Sequence, residues 1–101
     1  NSVESLAVIA IVVVEDLIRD GRYNEAMAVS DVILKRYPDY AYGLVKKGTA
    51  AYYALKAEFY DLYPTIEDVP TGRLGRLNLL QTLNSRVFEK ADSLGWLPLK
   101  Q

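Results

Sequence analysis

The residues with the clearest capacity for chemistry in this 101-residue chain are its carboxylates. Glu15, Asp16 and Asp20 fall on neighbouring turns of a helical spacing, and Glu67 and Asp68 are adjacent. Paired carboxylates can move protons or hold a cation. Calcium, however, takes roughly six to eight oxygens from a loop of suitable spacing, and no such spacing appears, so a solvated acidic face is the simpler reading. Arg73 and Arg76 stand where a helix begins and could hold an anion there; the plainer alternative pairs them with Glu67 and Asp68. The chain has no histidine and no cysteine. That removes the commonest general base and transition-metal ligand, every triad that depends on imidazole, and all disulfides and thiolate metal sites. Catalysis by carboxylates or lysine alone stays formally open. The expectation is a domain without enzymatic activity, metal or cofactor.

These side chains are carried by four segments with helical periodicity. Half of the residues are hydrophobic and a quarter are charged, with a net charge of −1. This is ordinary globular composition, enough for one modest core, with no bulk electrostatic pull toward nucleic acid or an anionic membrane. The first segment runs from about Val3 to Asp20, with Leu6, Ile9, Val13 and Leu17 at helical spacing and Gly21 as its stop. Its run VIAIVVV favours strand by propensity, but its length exceeds the ~10 residues of a usual strand. The apolar stretch from Leu6 to Val14 is too short to span a bilayer. The second segment runs from about Asn24, a candidate N-cap, to Arg36, and Pro38 closes it. The third runs from Tyr40 to Leu62 and stops at Tyr63 and Pro64. Residues 64–72 read as a loop. The fourth runs from Arg73 to Leu94, where Gly95 ends it, and Trp96, Leu97 and Pro98 form an apolar tail expected to fold back. Short connections imply antiparallel neighbours. The expected fold is all-α, a single domain over residues 1–101. Asn1 is not a methionine, which suggests a piece of a longer chain.

The stretch DGRYNEAMAV resembles the inter-helix turn of a tetratricopeptide repeat. Gly21, Arg22, Tyr23, Asn24, Glu25 and Ala26 stand where that family has a glycine, a polar residue, an aromatic, a polar pair and an alanine, and Pro38 matches its closing proline. The resemblance implies antiparallel helix pairs in an α-solenoid fragment of about four helices. Repeat one would cover about residues 7–40, near the ~34-residue period. An irregular second repeat would cover about 41–98, with an insertion over 56–72. Leu44 and Gly48 fall at the family's large and glycine positions, and Phe88 and Ala91 resemble its packing residues. Val14 replaces the glycine of repeat one, and Asn84 stands where alanine is usual. On this reading Gly48 faces the second segment near Ala26 and Ser30.

The family resemblance also implies a peptide or helix groove lined by the first helices of each repeat: Val8, Ile11, Val12 and Glu15, then Tyr42, Val45, Lys46, Thr49 and Tyr53. One subgroup clamps a terminal carboxylate with lysine, asparagine and arginine. Ile11 and Glu15 occupy the positions such a clamp needs, which argues against it. A groove of Ile, Val and Tyr suits an apolar or amphipathic helix, unless the protein's own tail or long segment fills it. Among the tyrosines, Tyr42 and Tyr53 are interface candidates, whereas Tyr37, Tyr52 and Tyr60 are expected to pack internally. The first segment is apolar nearly all round, so something must cover its outer side: an upstream helix, a central position in a bundle, or another chain. The leading expectation is a module that binds a protein or peptide partner. The alternative is self-association, a homodimer through Ile9, Ile11 and Val12. No nucleic acid and no membrane insertion are expected.

Overall fold

The computed structural model describes residues 2–96, with side chains from residue 5 onward. Helix α1 spans Ser2–Arg19, α2 Tyr23–Arg36, α3 Ala41–Leu55 and α4 Leu74–Ser93. The fold is all-α, with no strand among the described residues. Helix α1 packs on α2 and, less extensively, on α3; α3 packs on both α2 and α4. The β-branched run in α1 is helical because Ala7, Ile11 and Val14 recur on one side and reach the core. Tertiary burial of that stripe outweighs the strand preference of isolated valines.

Two glycines end helices in the left-handed conformation. Gly21 has φ 76° and Gly95 φ 90°. At the first, the Arg22 amide donates to the Leu17 carbonyl at 2.9 Å and the Gly21 amide to Ile18 at 3.0 Å. At the second, Trp96 donates to Ala91 at 3.1 Å and Gly95 to Asp92 at 3.0 Å. This double bonding satisfies the last carbonyls and needs a residue that tolerates positive φ. It also folds the chain back: Trp96 comes to rest on Phe88, ring centroids 6.3 Å apart. Leu97 and Pro98 lie outside the described residues.

The turn at Gly21 is so tight that α2 already starts at Tyr23, with Arg22 in the cap position and no side-chain cap. Asn24 is therefore not the N-cap; its Oδ1 instead accepts from Arg76 Nη2 of α4 at 2.6 Å. Arg22 Nε donates to Glu25 Oε1 at 2.9 Å. That hydrogen bond holds the Glu25 carboxyl below its ordinary range and raises the Arg22 guanidinium.

Small residues set the spacing of α3. Its Ala50, Ala51 and Ala54 are buried beside Leu55 and Phe59. A Cβ on Gly43 would meet Leu34 of α2 at 3.0 Å, whereas one on Gly48 would meet Phe88 at 2.6 Å and Val87 at 2.7 Å, both on α4. Gly48 thus faces the fourth helix rather than Ala26 and Ser30 of the second. Five residues advance an α-helix by about 140° beyond a full turn, so the two glycines serve different neighbours. Asn84 closes the same contact, its Nδ2 donating to the Gly48 carbonyl at 2.8 Å.

Beyond Leu55 the helix widens into a π turn over Lys56–Tyr60. The Asp61 amide reaches back to the Lys56 carbonyl at 2.9 Å. Glu58 is the hub that ties this turn to the start of α4. Arg73 donates to its carbonyl at 3.0 Å and to Oε1 at 3.3 Å, while Arg76 reaches Oε1 at 3.2 Å and Oε2 at 2.9 Å. The Arg73 guanidinium also lies over the Phe59 ring, 4.5 Å from its centroid. The two arginines are thus anchored by Glu58 and not by Glu67 and Asp68; Asp68 instead closes a capping box with Thr65. Glu58→Ala is expected to loosen residues 61–73 at a cost on the order of 1 kcal/mol. Faster amide exchange in that segment, with the exchange of α1 and α2 unchanged, is the readout.

Candidate interaction surface

Helix α1 divides sharply along its length. Ala7, Ile11 and Val14 point inward, whereas Leu6, Val8, Ile9, Val12 and Val13 are 44–64% exposed. Beyond Val13 the same outer side carries Asp16, Arg19 and Asp20, all exposed. Scattered aliphatic residues on a surface need no explanation, but a contiguous apolar patch on one element does. Ile11 is only 8% exposed. Its place in both the groove and the self-association set is therefore corrected: the side chain belongs to the core.

The groove residues read from the sequence separate into three kinds. Val8 and Tyr42 line a cleft of 610 Å³ between α1 and the connector that carries Tyr37, Pro38 and Tyr40. Val12 is exposed, one turn further along α1 from Val8. Tyr42 is 58% exposed and sits against Tyr40, centroids 6.1 Å apart. Glu15, Lys46 and Thr49 are engaged within the fold. Lys46 Nζ donates to Glu15 at 3.3 Å, which ties α3 to α1, and the Thr49 hydroxyl donates to the Val45 carbonyl at 2.8 Å. Val45 is half-buried and packs with the cluster of Leu44, Val87 and Ala91. Tyr53 stacks on Tyr23 at 5.9 Å and meets Tyr52 edge-on at 5.7 Å, and stays 41% exposed. The open part of the surface is therefore mainly apolar and aromatic, with two charged residues in the lining of the cleft: Asp39, which pairs with Lys90 at 3.6 Å, and Arg36, which donates to the Tyr37 hydroxyl.

Two tyrosines depart from expectation. Tyr52 and Tyr60 are 45% and 49% exposed. The inner face of α3 and its π turn is filled by alanines, Leu55 and Phe59, which leaves these rings outside. Tyr37 is half-buried, and its hydroxyl accepts from Arg36 Nε at 3.3 Å.

The carboxylates are dispersed. Asp16 pairs with Arg19 in α1, Asp31 with Lys47 at 2.6 Å, and Asp61 with Lys56 at 2.9 Å, a contact that raises the Lys56 ammonium above its usual range. Among the described residues no three acids converge as metal ligands would, and no helix is long and apolar enough to cross a membrane. The Glu58–Arg73–Arg76 hub escaped sequence reading because the nearer acids Glu67 and Asp68 are the obvious partners. A glutamate on the inner side of the third segment, in step with the buried Leu55 and Phe59, is the signal that points to it. No family model, curated protein or solved structure among those compared matches the chain.

Proposed function

We propose that this chain is a protein–protein interaction module, and that the outer side of α1, with Tyr42 and the adjoining cleft, receives an apolar or amphipathic helix. One observation carries the reading: five large aliphatic side chains stand exposed side by side between Leu6 and Val13. Leaving such a patch in water is costly: about half of each side chain is already covered by the fold, and covering the rest contributes roughly 1 kcal/mol apiece. A helix laid along the face would match its spacing, because anchors at i, i+3 and i+4 fit the rows of another helix. The order of the elements, a helix pair joined by a Gly21 turn and followed by a third helix beside the first, agrees with the tetratricopeptide resemblance and supports the same assignment. Paired charges on Glu15 and Lys46 favour an uncharged contact over capture of a free carboxylate.

A synthetic helical peptide with leucines along one face is a suitable probe. Wild-type protein is expected to bind it saturably, and Val12→Glu to weaken binding by about tenfold or more while circular dichroism stays helical. No saturable binding by the wild type at concentrations where it is monomeric, or equal binding by the variant, counts against the assignment.

A further inference from the structure

We propose that the helix received by the α1 face is the α1 of a second copy, giving a two-fold dimer; this rests on the proposed interaction function and names its partner. The exposed residues form two rows. Val8 and Val12 make one at i, i+4 spacing, Ile9 and Val13 make the other beside it, and Leu6 flanks the second row. Two parallel rows of this kind enclose a groove, and rows of i±4 spacing interlock with an identical set when helices cross near −50°. A crossing that steep confines contact to the turns nearest the axis. The apolar rows are confined in the same way: they end at Val13, and Asp16, Arg19 and Asp20 continue that side of the helix. At this angle the charged ends of two copies diverge, so their acids do not meet.

Charge and area favour the same occupant. Asp16 is neutralised by Arg19 within its own helix, and the apolar rows carry no charged residue, so the face has no demand for a basic or acidic helix. Its complement is another uncharged pair of rows, which the face itself supplies in a self-matching contact. With about half of each aliphatic side chain still open, each offers roughly 50–100 Å². Five on each copy, with Tyr42 at the margin, bring the area available to two copies close to the ~1,000 Å² at which specific interfaces begin.

Sedimentation equilibrium from micromolar to sub-millimolar concentration tests this on the intact chain. Expected is a reversible monomer–dimer equilibrium, with Val12→Glu and, independently, Ile9→Glu each raising the dissociation constant about tenfold or more while both remain helical. Because the chain has no cysteine, single-cysteine variants report the geometry. Ile9→Cys should form a disulfide-linked dimer under mild oxidation, and Val32→Cys, exposed on α2, should not. A monomer at every concentration, a dimer indifferent to both glutamates, or cross-linking through Val32→Cys in place of Ile9→Cys overturns the proposal. The leucine-faced peptide separates the two claims. A monomer that binds it loses the second copy and keeps the interaction surface; a monomer that binds nothing loses both.

Discussion

Gly48→Leu is expected to destabilise the domain by about 3 kcal/mol, the upper part of the range for an overfilled core. The Cβ alone would stand 2.6 Å from Phe88 Cε2 and 2.7 Å from Val87 Cγ2. Alanine at this site gains up to ~1 kcal/mol of helix propensity over glycine, which offsets part of the crowding, so Gly48→Ala should fall well short of the leucine variant. Leucine has the same backbone advantage and nowhere to put its branches. A domain of this size has a total stability of about 5–15 kcal/mol, so the loss is large and visible as a lower urea midpoint. The neighbour is testable as well. Trimming Phe88 to leucine should recover part of the loss, because the two sites share a contact, whereas changing Ser30 should recover none. An unchanged midpoint in Gly48→Leu contradicts the packing of α3 on α4.

Ile11→Glu is expected to unfold the domain or nearly so, while Val12→Glu, one residue on, leaves it folded. Ile11 is in the main core cluster with Val14, Met27 and Leu55. Losing its aliphatic packing costs about 2–5 kcal/mol, and a carboxylate there must also be desolvated without a partner. Val12 is 51% exposed, so glutamate at that position meets water. Thermal melts of the two variants provide the comparison. Equal stability would mean that the inner and outer sides of α1 are wrongly assigned.

That pair of residues also marks the limit of what the sequence discloses. The four helices are legible, and so are most of their ends; the start of α2 at Tyr23 and the π turn after Leu55 are not. Gly21 and Gly95 stand where a left-handed cap is needed, and Pro38 and Pro64 where a helix cannot continue; of the stripe Leu77, Leu80, Val87, Phe88, Ala91 and Leu94 in the fourth segment, the structure buries Leu77, Leu80, Val87 and Ala91, half-buries Phe88 and leaves Leu94 exposed. The phase of α1 is not legible, because an apolar residue at almost every position gives the periodicity no direction. Only the placement of α2 and α3 decides that Ile11 turns inward and Val12 outward. The same holds for Gly48: spacing identifies a position that needs a small residue, but which helix approaches it depends on α4, which comes after a long and irregular connection. The pairing of Glu58 with Arg73 and Arg76 is hidden for that reason too, since Glu58 sits in a π turn and an irregular connection with two short 3₁₀ turns leads from it to Arg73 and α4. The groove read from the family resemblance gives a set of positions without their exposure. The burial of Ile11, the Glu15–Lys46 contact and the Thr49 hydroxyl bond to Val45 show that part of such a set is taken up by the fold itself.

Methyl resonances measure the interaction surface most directly. Spectra of the methyl-labelled protein, recorded as its concentration rises and as the leucine-faced peptide is added, should show Leu6, Val8, Ile9, Val12 and Val13 shifting or broadening together. Val32 on α2 and Leu79 on α4, which are 72% and 55% exposed, should remain still. Movement of Val32 or Leu79 with the α1 methyls unchanged would place the binding surface elsewhere and contradict the assignment of α1.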